Sequence, residues 1–280
     1  GYTTALRNIG SIRNSGFELQ LDGRIIDRAV KWDLGVNFSL NRSKVLVLSE
    51  DKDIFGGELD NTILKDQLNL MRVGEPMYVF YGYVEDGYDE NGHIVYKNMD
   101  DDPAITAADK TIIGDPNPDF LVNLTTAVSY KGFTLSAFFQ SSIGNDIYSL
   151  SMAAQAYDYG YNGNTLREVY YNHWTPENPT AKYPNLDQTS YKMSDRFVYD
   201  GSFVRLKNLE LAYDVPCARN KFIKRARVYV SAQNLFTITS YPFWDPDINA
   251  NGGGSSMIQG VDSYCYPSAR TYTIGCRLTF

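Results

Sequence analysis

Apolar and polar residues alternate with a period of two over seven stretches of the chain, the pattern of half-buried β-strands rather than helices. Phe17, Leu19 and Leu21 alternate with Glu18, Gln20 and Asp22. Trp32, Leu34, Val36, Phe38 and Leu40 alternate with Asp33, Gly35, Asn37 and Ser39. Val122, Leu124, Thr126, Val128 and Tyr130 alternate with Asn123, Thr125 and Ser129, and after the two-residue turn Lys131-Gly132 come Phe133, Leu135, Ala137 and Phe139. A stretch over about 201–214 changes phase between Leu206 and Leu209, which predicts a β-bulge. Val228, Val230 and Ala232 oppose Arg227, Tyr229, Ser231 and Gln233. At the chain end Tyr272, Ile274, Cys276, Leu278 and Phe280 oppose Thr273, Gly275, Arg277 and Thr279.

The connections are of two kinds that alternate strictly. Short ones lie near 25–28, 131–132 and 215–223; long ones, rich in Asn, Asp, Gly, Tyr and Pro, lie near 42–117, 145–200 and 239–268. A soluble sandwich has no reason for this asymmetry, and loops this long are unusual in a compact soluble domain. An outer-membrane barrel does have a reason, with short periplasmic turns and long extracellular loops. The expected fold is therefore all-β, an antiparallel transmembrane barrel segment. If the long loops are extracellular, Phe280 ends in the periplasm, where such barrels place their C-terminus. The final strand, carrying Tyr272, Ile274, Leu278 and Phe280, has the amphipathic, aromatic-ended form of a barrel-assembly signal. An open seven-stranded sheet would leave two unpaired edges in lipid, at several kcal/mol per unmet backbone group. The economical expectation is that residues 1–280 are the C-terminal part of a longer barrel, with the preceding strands and domains absent.

Composition narrows the partners. The chain has 280 residues and a formal net charge of −7, so a duplex nucleic acid partner is disfavoured for lack of a Lys/Arg surplus. Apolar residues make up 43% and aromatic ones 14%, enough to bury a core and to exclude intrinsic disorder. The mean hydropathy of −0.34 does not speak against a membrane, because alternating lipid-facing and lumen-facing residues cancel in the average. Three cysteines (Cys217, Cys265 and Cys276) make no CxxC pair and suggest neither a disulfide framework nor a zinc site.

A series of short words in order carries a resemblance. These are Asn14-Ser15-Gly16-Phe17-Glu18, Val73-Gly74-Glu75-Pro76, Pro118-Asp119-Phe120, Ser202-Phe203-Val204-Arg205-Leu206-Lys207-Asn208, Gln233-Asn234-Leu235-Phe236-Thr237, Asp245-Pro246-Asp247 and Tyr266-Pro267-Ser268-Ala269-Arg270-Thr271. Together they resemble the C-terminal portion of the SusC/RagA family of TonB-dependent outer-membrane transporters. The resemblance implies a barrel of about 22 strands with an N-terminal plug, of which this chain would supply the last seven. It also implies a SusD-like surface lipoprotein as partner, and TonB engaged through the missing N-terminal part. The barrel assembly machinery would insert the protein, and the cargo would be an oligosaccharide or a peptide. The competing class is a secreted all-β glycan-binding module.

No catalytic chemistry is expected. The only histidines are His93 and His173, and no HExxH, GxSxG, P-loop or Rossmann fingerprint occurs. The Gly252-Gly253-Gly254 run lacks the Lys and following helix of a phosphate cradle. No cofactor is required, but one metal site is a candidate. Asn98, Asp100 and Asp102 occupy positions 1, 3 and 5 of an EF-hand-like loop, the Ala104 carbonyl position 7 and Asp109 position 12, a spacing that can wrap one Ca²⁺. Pro103 stands where that loop has Gly and cannot take its positive φ. The alternative is a solvated acidic loop without metal. The second candidate is the aromatic loop group of Tyr157, Tyr159, Tyr161, Tyr170, Tyr171 and Trp174, with Tyr241, Phe243 and Trp244. Such rings can stack on sugars or form membrane girdles and loop packing. Trp244 with Asp245 is the preferred substrate contact, followed by Tyr241, Tyr157 and Trp174.

Overall fold

The alternating stretches fold as one seven-stranded antiparallel sheet in which sequential strands are neighbours. Its strands are β1 (Gly10–Asp27), β2 (Val30–Leu48), β3 (Phe120–Tyr130), β4 (Phe133–Ile143), β5 (Phe203–Val215), β6 (Arg225–Thr239) and β7 (Thr271–Thr279). The structure is a computed structural model and describes residues 10–60, 64–157, 164–217, 222–248 and 257–280.

The register gathers the apolar residues on one face. Ile274 lies opposite Val230, Val230 opposite Leu211, Leu211 opposite Leu135, Leu135 opposite Val128 and Val128 opposite Trp32. The adjacent row, one residue along each strand, is Thr273, Ser231, Glu210, Ser136, Ala127 and Asp33. Because the pleat sends successive side chains to opposite faces, the first row is outward and apolar and the second inward and mostly polar. The outward side chains stay uncovered: Ile274 is 85% exposed and Tyr272 70%. A soluble protein rarely exposes an apolar face that runs across seven strands.

The 131–132 turn is where the alternation put it, and the first turn falls at 28–29, because the first strand runs on through Asp27. Lys131 and Gly132 both adopt positive φ, +47° and +85°, the two-residue turn whose twist matches the flanking strands. The expected bulge is present. Phe138 and Phe139 of β4 pair with Asn208 and Leu206, which leaves Lys207 as the extra residue. Toward β6, Leu206 pairs with Phe236 and Asn208 with Gln233, and Asn234 takes a φ of +52°. The bulge puts Leu206 and Leu209, three residues apart, in register with outward Phe139 and Ala137.

Two strands are longer than the alternation indicated. At a rise of about 3.4 Å per residue, β1 spans about 60 Å, roughly twice a hydrocarbon core. Only Val30–Ser39 of β2 pairs with β3, so the far half of the β1–β2 hairpin stands beyond the sheet. Its middle is polar (Arg13, Asn14, Ser15, Asn41, Arg42 and Ser43), and no apolar alternation marked it as strand. Val45 and Leu48 are buried where this extension meets the first long connection, and Val45 N–H donates to the Glu75 carbonyl at 3.0 Å.

The long connections, all at the same end of the sheet, build a second layer. A four-stranded sheet joins Thr111–Gly114, Val79–Gly82, Asn69–Met71 and Ile54–Phe55. A three-stranded sheet joins Val198–Asp200, Asp146–Ser149 and Val261–Asp262, and so ties the second long connection to the third. Helix α1 (Leu150–Tyr157) is almost wholly buried, and a short helix α2 (Arg167–Tyr171) follows. The hydrophobic core, including Leu68, Phe80, Tyr148, Ala153, Val169, Met193 and Phe197, lies in this loop layer.

A charge on the outward face should be far more damaging than one on the inward face. Val230→Arg is expected to destabilise the barrel in lipid vesicles by about 2–4 kcal/mol, whereas Ser231→Arg, the next residue, should cost less than about 1 kcal/mol. Urea unfolding of the full receptor in vesicles measures both.

Candidate functional site

The end of the sheet that carries the long connections is where wall, loops and candidate residues meet. Arg205, on the inner face of β5, is only 2% exposed. Its guanidinium forms an ion pair with Asp245, and it reaches Asp247 Oδ2 at 3.3 Å, Ser268 Oγ at 3.3 Å and Thr237 Oγ1 at 2.9 Å. Asp245 in turn accepts from the backbone N–H groups of Ser268 and Asp247, both at 2.9 Å. Burial alone would raise the Asp245 carboxyl. The N–H groups of Ser268 and Asp247 and the Arg205 guanidinium outweigh it and hold the group below the usual carboxylate range. One buried cation on the wall thus fixes both ends of the third long connection.

Two further networks bind the loops to one another. Glu85 accepts from Ser194 Oγ at 2.6 Å and from Arg196 Nε at 2.7 Å, joining the first connection to the second. Tyr241 donates to Asp262 Oδ2 at 2.6 Å and lies 2.9 Å from Ser149 Oγ, while Ser151 Oγ donates to Asp262 Oδ1 at 3.1 Å. Burial first, then the bond to the Asp262 carboxylate, pushes the Tyr241 hydroxyl well above its ordinary value.

This geometry corrects part of the aromatic expectation. Tyr241 is buried and committed to Asp262 and Ser149, and Asp245 is buried and committed to Arg205, so neither presents a group to a ligand. Tyr157 is also buried, stacked on Tyr191 with ring centroids 3.7 Å apart. These three residues are structural because the loop layer needs a core of its own. Trp244 is different: 57% exposed, with one face on Phe243 at 4.8 Å. Trp174 packs over Gly92 so closely that any Cβ there would strike the indole, and it is partly buried. Tyr170 and Tyr171 are exposed; Tyr159, Tyr161 and the Gly252–Gly254 run lie outside the described residues.

The Asn98–Asp109 loop does not gather its oxygens around a point. Asn98 Oδ1 accepts from Asp100 N–H at 3.0 Å, Asp100 Oδ1 from Asp102 N–H at 2.8 Å, and Asp102 Oδ1 from Ala104 N–H at 3.0 Å. Asp109, the expected bidentate ligand, instead accepts from Met99 N–H at 2.7 Å and Thr106 N–H at 2.8 Å, closing a capping box with Thr106. Among the described residues no three His, Cys, Asp or Glu side chains converge as metal ligands. The carboxylates of this loop brace its backbone, and Pro103 denies the turn that would aim them inward.

His93 ties the first long connection to the second, its Nε2 2.8 Å from Asp187 Oδ1, whereas His173 Nδ1 makes a local contact, 2.7 Å from the Tyr170 carbonyl. On the inner face Arg227 lies 3.3 Å from Asp214 and 3.4 Å from Glu210. Cys276 points outward opposite Val228. Sequence reasoning did not find the Arg205–Asp245 pair, because the partners are far apart along the chain and only the fold brings them together.

An uncovered apolar outer face, a polar inner face and folded loops at one end define the wall of a membrane β-barrel. No protein-family model matches the chain. It is 32% identical to the TonB-dependent receptor P3 of Formosa agariphila over all of its own length and 30% of that protein. It is 28% identical to the TonB-dependent receptor SusC of Bacteroides thetaiotaomicron, over 98% of this chain and 27% of SusC. Among solved structures it superposes on the RagAB peptide transporter with a TM-score of 0.78 and 26% identity, covering 97% of this chain and 29% of that one. The RagAB importer in its closed-closed state gives a TM-score of 0.80. The chain belongs to the SusC/RagA family of TonB-dependent receptors, outer-membrane barrel proteins, and spans about 30% of the length of the relatives it matches.

Arg205→Met should leave Asp245 buried without its counter-charge and cost about 3–5 kcal/mol. The double variant Arg205→Met with Asp245→Leu should recover much of that loss. A double-mutant cycle on unfolding, with protease sensitivity of 240–270 as the local readout, measures it. The Asp109 bonds make a second, pH-dependent prediction. The Met99 N–H, then the Thr106 N–H, lower the folded carboxyl below its unfolded value of about 3.9. Its stabilisation is therefore complete above about pH 4 and is lost as pH falls through the folded value. Hydrogen exchange at the Met99 and Thr106 amides should accelerate across that acid window in the natural chain. In Asp109→Asn it should already be fast at neutral pH.

Proposed function

We propose that this chain is the C-terminal barrel segment of a SusC-like nutrient importer of the outer membrane, without enzymatic activity of its own. The whole receptor would take up an oligosaccharide or peptide captured under a SusD-like lipoprotein, with passage driven by TonB acting on parts outside this chain. The observation that carries this reading is the outward apolar face, continuous across the sheet and uncovered, with every long connection at one end. A secreted glycan-binding module would bury such a face against a second sheet.

Within the importer, the long connections would be extracellular and Phe280 periplasmic. Tyr272, Ile274, Leu278 and Phe280, exposed on the last strand, would serve as the signal for the barrel assembly machinery. Trp244 would be the aromatic face closest to an incoming cargo or to the lipoprotein lid, with Trp174 as a second, partly covered ring. Likeness to SusC and to the RagAB peptide transporter supports a partnered uptake system.

The test is the size and solubility of the native polypeptide in its own organism, detected with an antibody against 239–268. The reading expects a species about three times heavier than 31.6 kDa in the outer-membrane fraction, released only by detergent. A detergent-independent species of 31.6 kDa would contradict it.

A further inference from the structure

We infer that the outward face of the β1–β2 hairpin, just above the lipid-facing band, binds the phosphate groups of an anionic glycolipid of the outer leaflet. The inference rests on the importer reading, with the long connections extracellular. It adds a lipid ligand on the outside of the wall, away from the lumen.

The pleat decides which side chains of the hairpin extension face outward. Ser43 Oγ accepts from the Met77 N–H at 3.1 Å and Val45 is buried, so these two face the loop layer. Arg42 and Lys44 alternate with them and share the outward side with Phe38 and Leu40. On β1, Ser15 stands opposite Arg42 and Arg13 opposite Lys44. Arg13, Arg42 and Lys44 are all exposed.

Directly below these cations the same face is apolar. Phe17 lies opposite Leu40 and Leu19 opposite Phe38, and the Phe38 ring is 6.3 Å from Phe17 and 5.8 Å from Phe120. At about 3.4 Å per residue, Arg42 stands about 7 Å and Lys44 about 14 Å beyond Leu40 along the strand. The gain in height is smaller, because barrel strands tilt. The interfacial layer of an ordinary bilayer is about 5–7 Å deep on each side, and a phosphorylated sugar headgroup is thicker. The three cations therefore stand at headgroup level, on top of a strip that acyl chains cover.

The charges themselves require an anion. Like charges directly opposite one another on antiparallel strands destabilise the pair, and Arg13 faces Lys44 in that way on a chain whose net charge is −7. Neither forms an ion pair with a carboxylate among the described residues. Arg42, one outward pair below, is answered by Asp119 Oδ1 at 2.6 Å and the Pro118 carbonyl at 3.4 Å. The inner face shows the usual remedy. Arg227 also lies opposite an arginine, Arg277, and there Asp214 and Glu210 meet it at 3.3 and 3.4 Å. On the outward side the balancing charge has to come from outside the hairpin. A phosphate monoester carries about −1.5 to −2 charges. It accepts bidentately from a guanidinium, while an ammonium adds a compact charge beside it. Acyl chains of the same molecule would run down over Phe17, Phe38 and Phe120, which favours a lipid phosphate over a free one.

The test uses the full-length receptor in a neutral detergent, with native mass spectrometry as the readout. The probes are diphosphorylated lipid A, its dephosphorylated form and inorganic phosphate. Only diphosphorylated lipid A should be retained. The double variant R13Q/K44Q should weaken that retention about tenfold or more, while Arg28→Gln, at the opposite end of the same hairpin, leaves it unchanged. Stability supplies a second readout with a change of sign. In neutral detergent R13Q/K44Q removes a repulsion and should raise the melting temperature; in phosphatidylcholine vesicles containing lipid A it should lower it. If the double variant does not assemble, Lys44→Gln alone carries both readouts. Retention of the dephosphorylated form or of inorganic phosphate, undiminished retention by the variants, or a melting shift of the same sign in both media would each overturn the inference. Loss of lipid A from Arg28→Gln instead would place the site at the other end of the hairpin and overturn it too. Fractionation of the receptor to the outer membrane, measured on the same preparation, judges the importer reading separately.

Discussion

Hydrocarbon offers no hydrogen-bond partner, and that constraint organises the rest of the structure. Every backbone N–H and C=O within the bilayer must be met by the chain itself, which for strands means an unbroken antiparallel ladder with turns only at its ends. The pleat then forces alternation: each residue that faces lipid is followed by one that does not. The row from Ile274 through Val230, Leu211, Leu135 and Val128 to Trp32, with a polar row one residue away, is the direct outcome. The bulge at Lys207 belongs to the same logic, since it restores the apolar phase where the sequence would otherwise turn Leu209 inward.

The same constraint moves the hydrophobic core. A sheet whose apolar face is covered by lipid does not need a second sheet, so the buried side chains gather in the long connections instead. That layer needs an anchor on the wall, and Arg205 supplies it. One guanidinium, almost fully buried, holds Asp245, Asp247 and Ser268 and so fixes the third connection over the inner face. Buried ion pairs add little net stability compared with apolar packing, but breaking one is costly, which suits a contact whose purpose is to set position.

The wall was legible in the sequence because a period of two survives wherever one face is apolar. All seven strands, their order and the phase change between Leu206 and Leu209 could be read that way. The far half of the first hairpin was not legible, since Arg13 to Ser15 and Asn41 to Ser43 are polar on both faces and continue the ladder through backbone bonds alone. The loop layer was hidden for another reason: its strands are two to four residues long, too short to show any period. Tyr157 and Tyr241 could not be told from exposed rings by composition. Their burial depends on contacts with Tyr191 and Asp262, which lie in the same long connections but far along the chain. The acidic spacing from Asn98 to Asp109 was visible, but whether its oxygens face a cation or the backbone is decided by loop geometry, and here Asp109 turns to Met99 and Thr106.

The central claim is that one face of this sheet meets lipid and the other does not, residue by residue. Nitroxide scanning of the full receptor in vesicles, one spin label at a time from Tyr272 to Thr279, tests it most directly. Oxygen, which partitions into acyl chains, should broaden the labels at 272, 274, 276 and 278 and spare those at 273, 275, 277 and 279. A profile without that two-residue period, or equal access of a water-soluble nickel reagent to both sets, would contradict the account.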